Sequence, residues 1–226
     1  MARKDMKLLF IVTSCAMTDS SLAFKGTSVR SFYTGEQRAA QTINTLNNLR
    51  SFGSDSDIIL VDVSADKVQT FQDYADNNRN FKYVHLADID PLAAKISRTH
   101  PSKSHCEANQ LVAIFKNFKK DIRAYDYVIK ISARYQIVED SFNFDYFNDK
   151  NKNKFIFKTL KSWSGEQINH IKHLCPYDFI QNDTMTRLAT VFYAVGKEKI
   201  SQWEYLMALC CQYSQENSSM YYLDIE

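Results

Sequence analysis

Apolar and polar positions follow two periods along this chain, and each change of period marks an element. Lys7-Leu-Leu-Phe-Ile-Val-Thr-Ser14 is an unbroken apolar run with β-branched members, the pattern of a strand buried on both faces. The polar stretch Met17 to Thr34 is long for a structureless connection and reads as a binding loop. From Thr34 the period becomes helical. Ala39, Ile43, Leu46 and Leu49 form one stripe, Thr34 and Gln37 have the spacing of a capping box, and Gly53 supplies a stop. Asp57-Ile-Ile-Leu-Val-Asp-Val63 is a second strand, apolar up to Asp62. A helix from about Asp66 to Asp76, a third strand from Phe81 to Ala87 and a short helix opened by Pro91 come next. Ala108, Leu111, Val112, Phe115 and Phe118 give a helix over Ser104 to Lys120, and Tyr125-Asp-Tyr-Val-Ile-Lys-Ile-Ser132 gives a fourth strand.

Strands alternating with helices imply right-handed crossovers and a parallel sheet whose strand ends share one edge, where open α/β sheets bind ligands. Farther on, Phe155-Ile-Phe157 and Arg187 to Val195 read as strands and Lys197 to Tyr213 as an amphipathic helix. Met220 to Glu226 is either another short strand or a loose tail. The expected fold is one α/β domain over residues 1–226, an open, twisted, mostly parallel sheet with an antiparallel edge and flanking helices.

The bulk numbers agree with one core. At 226 residues and 45% hydrophobic, two full domains are cramped, and 13% aromatic residues exclude a disordered chain. A net charge of +2 does not demand a nucleic-acid partner. The five cysteines form no CxxC pair, and Leu8 to Val12 is too short for a signal-peptide core or a membrane span. Reduced thiols in a cytoplasmic protein with no membrane span are the expectation. The spacing of His170, His173 and Cys175 fits none of the common zinc patterns. Nothing in the chain indicates an oligomeric state.

Candidate chemistry sits at the strand ends, since no Walker loop, GxGxxG, GxSxG or HExxH occurs. Ser14 and Asp62 end the first two strands, Asp88 and Asp90 follow the third, and Lys130, Ser132 and Arg134 lie on or after the fourth. Lys130 interrupts an apolar strand, where an unpaired ammonium is costly. It either pairs with a carboxylate such as Glu107 or reaches solvent, or else it joins Arg134 in facing a pyrophosphate. Asp88-Ile-Asp90 has the spacing that lets two carboxylates share a divalent ion; solvated carboxylates, with Asp90 preceding a helix-opening proline, are the alternative. Neither His105 nor Cys106 comes with a set of residues that makes a nucleophile.

Ser28-Val-Arg-Ser-Phe-Tyr-Thr-Gly-Glu-Gln-Arg-Ala-Ala-Gln-Thr-Ile-Asn-Thr-Leu-Asn-Asn-Leu-Arg50, with the Ile-Ile-Leu-Val-Asp-Val-Ser64 that follows, resembles a group of GT-A-like glycosyltransferases of bacterial surface-polysaccharide clusters and large phages. Lys103-Ser-His-Cys-Glu-Ala-Asn-Gln110 and Tyr125-Asp-Tyr-Val-Ile-Lys-Ile-Ser-Ala-Arg-Tyr135 are similar to the same group. The resemblance covers about residues 7–140, which it makes the nucleotide-sugar-binding half, leaving about 141–226 as the acceptor side. It implies that Thr13, Ser14, Arg30 and Asp62 hold the ribose and base, and that Lys103 and Glu107 face the site from the helix before strand four. Where such enzymes carry a metal-binding DxD, this chain has Ser132-Ala-Arg134, and Asp88-Ile-Asp90 comes one strand too early. The group also tends to have Gly where Ala133 stands, so a different backbone is expected there.

The implied reaction is transfer of a sugar from a nucleoside-diphosphate sugar, uridine-linked, to a hydroxyl acceptor, with Lys130 and Arg134 stabilising the leaving diphosphate. Two metal arrangements stay open: Mn2+ or Mg2+ on Asp88 and Asp90, or no metal, with a protein cation in its place. Asp178, Asp183 and Glu139 are unranked candidates for the base that an inverting reaction needs. The acceptor is a surface glycan or hydroxymethylated pyrimidine in phage DNA. Lys150 to Lys154 and Lys116 to Lys120 are the runs that would track DNA phosphates, or are solvated faces. A non-catalytic nucleotide or sugar-nucleotide binding module is the rival from another class.

Overall fold

The computed structural model describes residues 6–18, 22, 31–52, 56–138, 144–164, 180–181 and 184–216. Its first half is the alternation read from the pattern: β1 (Leu8–Ser14), α1 (Gly35–Phe52), β2 (Asp57–Asp62), α2 (Gln69–Asp76) and β3 (Phe81–His85). Three helices follow, α3 (Leu86–Ile89), α4 (Pro91–Thr99) and α5 (Lys103–Ile122), before β4 (Tyr127–Ser132). The second half supplies β5 (Phe155–Ser164), β6 (Ile180–Gln181), β7 (Thr184–Gly196) and α6 (Ile200–Glu216).

The seven strands make one sheet in the order β3-β2-β1-β4-β7-β5, with β6 also paired to β7. β3, β2, β1 and β4 are parallel, while β7 runs antiparallel to β4, β5 and β6. This is the open, helix-flanked α/β sheet with an antiparallel edge that the pattern implies. The third strand stops at His85, short of the expected Ala87, because Leu86 begins a helical turn. β5 and β7 run longer than the sequence suggests and β6 is additional.

Two apolar layers hold the helices to the sheet. Phe10 and Val12 of β1, Leu60 of β2 and Ile129 of β4 pack with Leu46 and Leu49 of α1 and Phe71 of α2 on one face. Leu9, Ile11, Val61 and Val128 pack with Leu111, Ile114 and Phe115 of α5 and Trp203 of α6 on the other. The period of two along each strand divides its side chains between the layers. Trp203 fixes α6 through edge-on contacts to Phe115 and Tyr193, at 4.7 and 5.7 Å, and its indole N–H donates to the Tyr193 hydroxyl at 3.0 Å. At the end of β7, a Cβ on Gly196 would lie 2.3 Å from the Lys152 carbonyl oxygen, so the close backbone approach requires glycine. Among the described residues no helix is long and apolar enough to cross a membrane.

Candidate functional site

The sheet reverses its winding between β1 and β4. The chain leaves β1 for β2 through α1 on one face, and it reaches β4 from α5 on the other. In such sheets the crevice at the carboxyl ends of those two strands is left open. Here Thr13 pairs in register with Ser132, and a cavity of about 290 Å³ opens above them. Thr13, Ser14, Lys103, Glu107 and Arg134, all nominated by the sequence, line it.

One wall is the N-terminal part of α5, begun by Ser102, whose hydroxyl accepts from the His105 N–H at 3.3 Å. Glu107, one turn in, meets Lys130 of β4. Lys130 Nζ lies 2.6 Å from Glu107 Oε2 and donates to Ser132 Oγ at 2.7 Å, and Ser132 in turn donates to Glu107 Oε1 at 2.5 Å. Lys130 is only 1% exposed and does not line the cavity. Burial alone would raise the Glu107 carboxyl, but the Lys130 ammonium and the Ser132 hydroxyl outweigh it and hold the carboxyl below its ordinary value. Lys130 therefore sits behind Glu107 and Ser132, holding them in place, and is not aimed at the crevice.

The opposite wall is built by α1. The predicted capping box is formed, with the Gln37 N–H on Thr34 Oγ1 at 3.2 Å and the Thr34 N–H on Gln37 Oε1 at 3.0 Å. It starts the helix so that Arg38 grips the chain leaving β1: Nε and Nη2 donate to the Cys15 carbonyl at 2.9 and 2.6 Å, and Nη1 to Ser31 Oγ at 2.9 Å. Arg134 follows β4 in the left-handed region, φ 80°, and its N–H donates to Thr45 Oγ1 at 3.0 Å. The Arg134 guanidinium lies 5.9 Å over the Tyr33 ring, and neither it nor Lys103 has an ion-pair partner among the described residues.

Asp62 is turned away from this crevice. It is 0% exposed, and its carboxylate accepts the Ala16 N–H at 3.0 Å and the Ser64 N–H at 3.1 Å, tying the loop after β1 to the loop after β2. Asp88 and Asp90 do not fit a shared ion. Asp88 meets Lys67 at 2.8 Å and His85 at 3.1 Å, whereas Asp90 caps α4 by accepting the Ala93 N–H at 3.0 Å and pairs with Lys116 at 3.4 Å. The Lys67 hydrogen bond holds the Asp88 carboxyl below its ordinary value, and His85 adds to it. Among the described residues no group of three or more His, Cys, Asp or Glu is placed to hold a metal. Arg30, the three candidate bases Glu139, Asp178 and Asp183, and the trio His170, His173 and Cys175 lie outside the described residues, as does Met220 to Glu226.

Sequence reasoning missed Arg38 and Gln110. Gln110 stands on the inward stripe of α5 between Cys106 and Ala113, and a lone amide on an apolar stripe was the available signal. Thr13 Oγ1 and Gln110 Oε1, atoms of two lining residues that are themselves buried beneath the surface, have no hydrogen-bond partner among the described residues. An orphan of this kind is costly.

No protein-family model matches the chain, and no curated protein is significantly similar to it. Among solved structures, 4-diphosphocytidyl-2C-methyl-D-erythritol synthase from Anaerococcus prevotii aligns over 89% of this chain and 76% of its own, with 15% identity and a TM-score of 0.42. The galactosyltransferase LgtC, solved with donor and acceptor sugar analogs, aligns over 95% of this chain with 8% identity and a TM-score of 0.43; the match spans 66% of that enzyme.

Proposed function

We propose that the crevice between β1 and β4 binds the diphosphate of a uridine-linked nucleotide sugar, and that the chain is a glycosyltransferase passing the sugar to a hydroxyl acceptor. The observation that carries this reading is the convergence on this crevice of two cations, Lys103 and Arg134, that form no ion pair among the described residues. An anion bearing hydrogen-bonding groups complements such a lining. The bond from the sugar's anomeric carbon to the diphosphate oxygen breaks, and a bond from the acceptor oxygen forms. The acceptor's proton passes to a carboxylate, for which Glu139, Asp178 and Asp183 are the candidates. Lys103 and Arg134 offset the charge that builds on the departing diphosphate. Residues from about 7 to 140 hold the donor on this reading, and those from about 141 to 226 face the acceptor, in a single cytoplasmic domain.

A glycan acceptor is favoured over DNA. Half of the lysines that would track a phosphate backbone are engaged within the protein: Lys152 with Asp126 and Asp149 at 2.7 and 2.8 Å, Lys116 with Asp90, and Lys119 with Glu204 at 2.9 Å, whereas Lys120, Lys150 and Lys154 form no ion pair among the described residues.

The test combines a melting-temperature screen against nucleoside diphosphates with turnover of a panel of nucleotide sugars. Uridine diphosphate at about 100 times its Kd stabilises the native state by about 2.7 kcal/mol. No shift with any nucleoside diphosphate at millimolar level would reject the nucleotide reading. A shift without transfer or hydrolysis of any nucleotide sugar would make the chain a binding module.

A further inference from the structure

The segment that follows β4 is pinned by its backbone at three positions. The Ala133 N–H donates to the Thr13 carbonyl of β1 at 2.9 Å. The next N–H, that of Arg134, goes to Thr45 Oγ1 of α1 at 3.0 Å. Ile137 is held at both of its backbone groups by one side chain, Asn48: its N–H donates to Oδ1 at 2.7 Å, and its carbonyl accepts from Nδ2 at 3.0 Å. Thr45 and Asn48 stand three residues apart on α1, so one face of the helix meets the segment twice. The Asn48 amide does for Ile137 what a neighbouring strand would do, now that β4 has ended at Ser132. Arg134 and Tyr135, between these pins, line the crevice, whereas Thr45 and Asn48 do not.

Two details set Thr45 apart from a packing residue. It is 0% exposed, and its hydroxyl donates to the Gln41 carbonyl one turn back at 3.2 Å, which leaves a lone pair for the Arg134 N–H. The residue it holds stands at φ 80°, a conformation that an L-residue abandons by roughly tenfold preference when nothing holds it there. Resting on the nucleotide-sugar reading of the crevice, we infer that Thr45 and Asn48 are positioning residues, which fix the backbone after β4 so that the Arg134 guanidinium meets the donor's diphosphate. Their contribution reaches the ligand only through Arg134. When a pin is lost, fewer molecules hold the guanidinium in place, and the apparent affinity falls by that fraction.

The experiment measures Kd for uridine diphosphate by calorimetry, and stability in urea, for wild type, Thr45→Val, Thr45→Ser and Asn48→Leu, each with Arg134 in place and again with Arg134→Gly. Arg134→Gly alone should weaken binding about tenfold, the loss of a charge-assisted contact. With Arg134 in place, Thr45→Val and Asn48→Leu should each weaken it about five- to tenfold. Thr45→Ser, which keeps the hydroxyl, should stay within about twofold of wild type. In the Arg134→Gly background the same substitutions should move Kd by less than about twofold, although they lower stability in both backgrounds. A packing role has no such dependence on Arg134. Should Thr45→Val fail to fold, Asn48→Leu, at a half-buried position, carries the comparison. Unchanged Kd in the variants that keep Arg134, or equal weakening in both backgrounds, would overturn the positioning role while leaving the nucleotide reading intact. Arg134→Gly that binds as tightly as wild type would overturn it too, by removing Arg134 from the diphosphate. Wild type that binds no nucleoside diphosphate rejects both readings.

Discussion

Lys130 and Glu107 form a closed ion pair at the root of the cavity, with Nζ 2.6 Å from Oε2 and the Ser132 hydroxyl bridging both groups. Removing one partner strands a charge in a site built for two. Glu107→Gln and Lys130→Met should each lose on the order of 3 kcal/mol of stability. The double variant should lose less than the sum, since neither charge is then left alone. Urea denaturation of the four proteins measures the coupling; additive losses would mean that the pair contributes nothing as a pair.

The second prediction concerns acid. His105, buried at the start of α5 and stacked on His100 at 3.9 Å, is pushed down from 6.5 to about 4 by burial, with the neighbouring His100 adding to it. A group whose pKa is lower folded than unfolded binds fewer protons when folded. Its contribution is complete above pH 6.5 and declines as pH falls towards about 4. Stability should therefore drop between pH 7 and pH 4.5, and His105→Phe, which keeps a ring against His100, should flatten that part of the curve. An unchanged slope in the variant would remove His105 from the account.

Much of this architecture is legible because it is local. The Thr34–Gln37 box, Asp90 and Pro91 opening α4, and the unbroken apolar runs of β1 and β2 each depend on neighbours in sequence. That ligands would meet the carboxyl ends of the strands follows from element order, whereas the crevice between β1 and β4 needs the spatial strand order, which chain order does not give. What stayed hidden depends on distant backbone. Asp62 and Asp88 look alike as strand-end acids, yet one turns into two backbone N–H groups and the other to a lysine on the surface. No pattern within Asp57 to Ser64 encodes that choice, because the Ala16 donor arrives from another loop. The left-handed turn at Arg134 was invisible for a related reason. Arginine carries no preference for positive φ, and the conformation is imposed by contacts such as the Thr45 hydroxyl.

The third prediction follows from Asp62. Asp62→Ala leaves the buried Ala16 and Ser64 N–H groups without an acceptor and should cost about 2–4 kcal/mol of stability. The expectation that Asp62 touches ligand directly would instead give a well-folded protein with weakened nucleotide binding. Denaturation and calorimetry on one preparation separate the two. Full stability with lost affinity would restore Asp62 to the ligand.

The last prediction turns on Arg134. Its φ of 80° is a conformation that costs an L-residue about 1–2 kcal/mol and costs glycine little. A strained, half-buried arginine over an aromatic ring, with no ion-pair partner among the described residues, is what a site keeps when it needs the charge. Two substitutions separate backbone from charge. Arg134→Gly relieves the strain and should leave stability unchanged or raise it by up to about 1 kcal/mol, its greater unfolded freedom offsetting part of the gain. It should nevertheless lose about a hundredfold or more in transfer rate, the scale of a lost charge-assisted contact worth about 3 kcal/mol in the transition state. Arg134→Lys keeps the charge and the strain but cannot reproduce the two-pronged hydrogen bond, so its rate should fall in between. If the guanidinium supplies the positive charge, activity survives EDTA, and Asp90→Asn, which keeps the helix cap and loses only the exposed pair with Lys116, leaves the rate alone. Activity lost on chelation, restored by manganese and abolished in Asp90→Asn would reject the arginine and return the acidic pair to the chemistry.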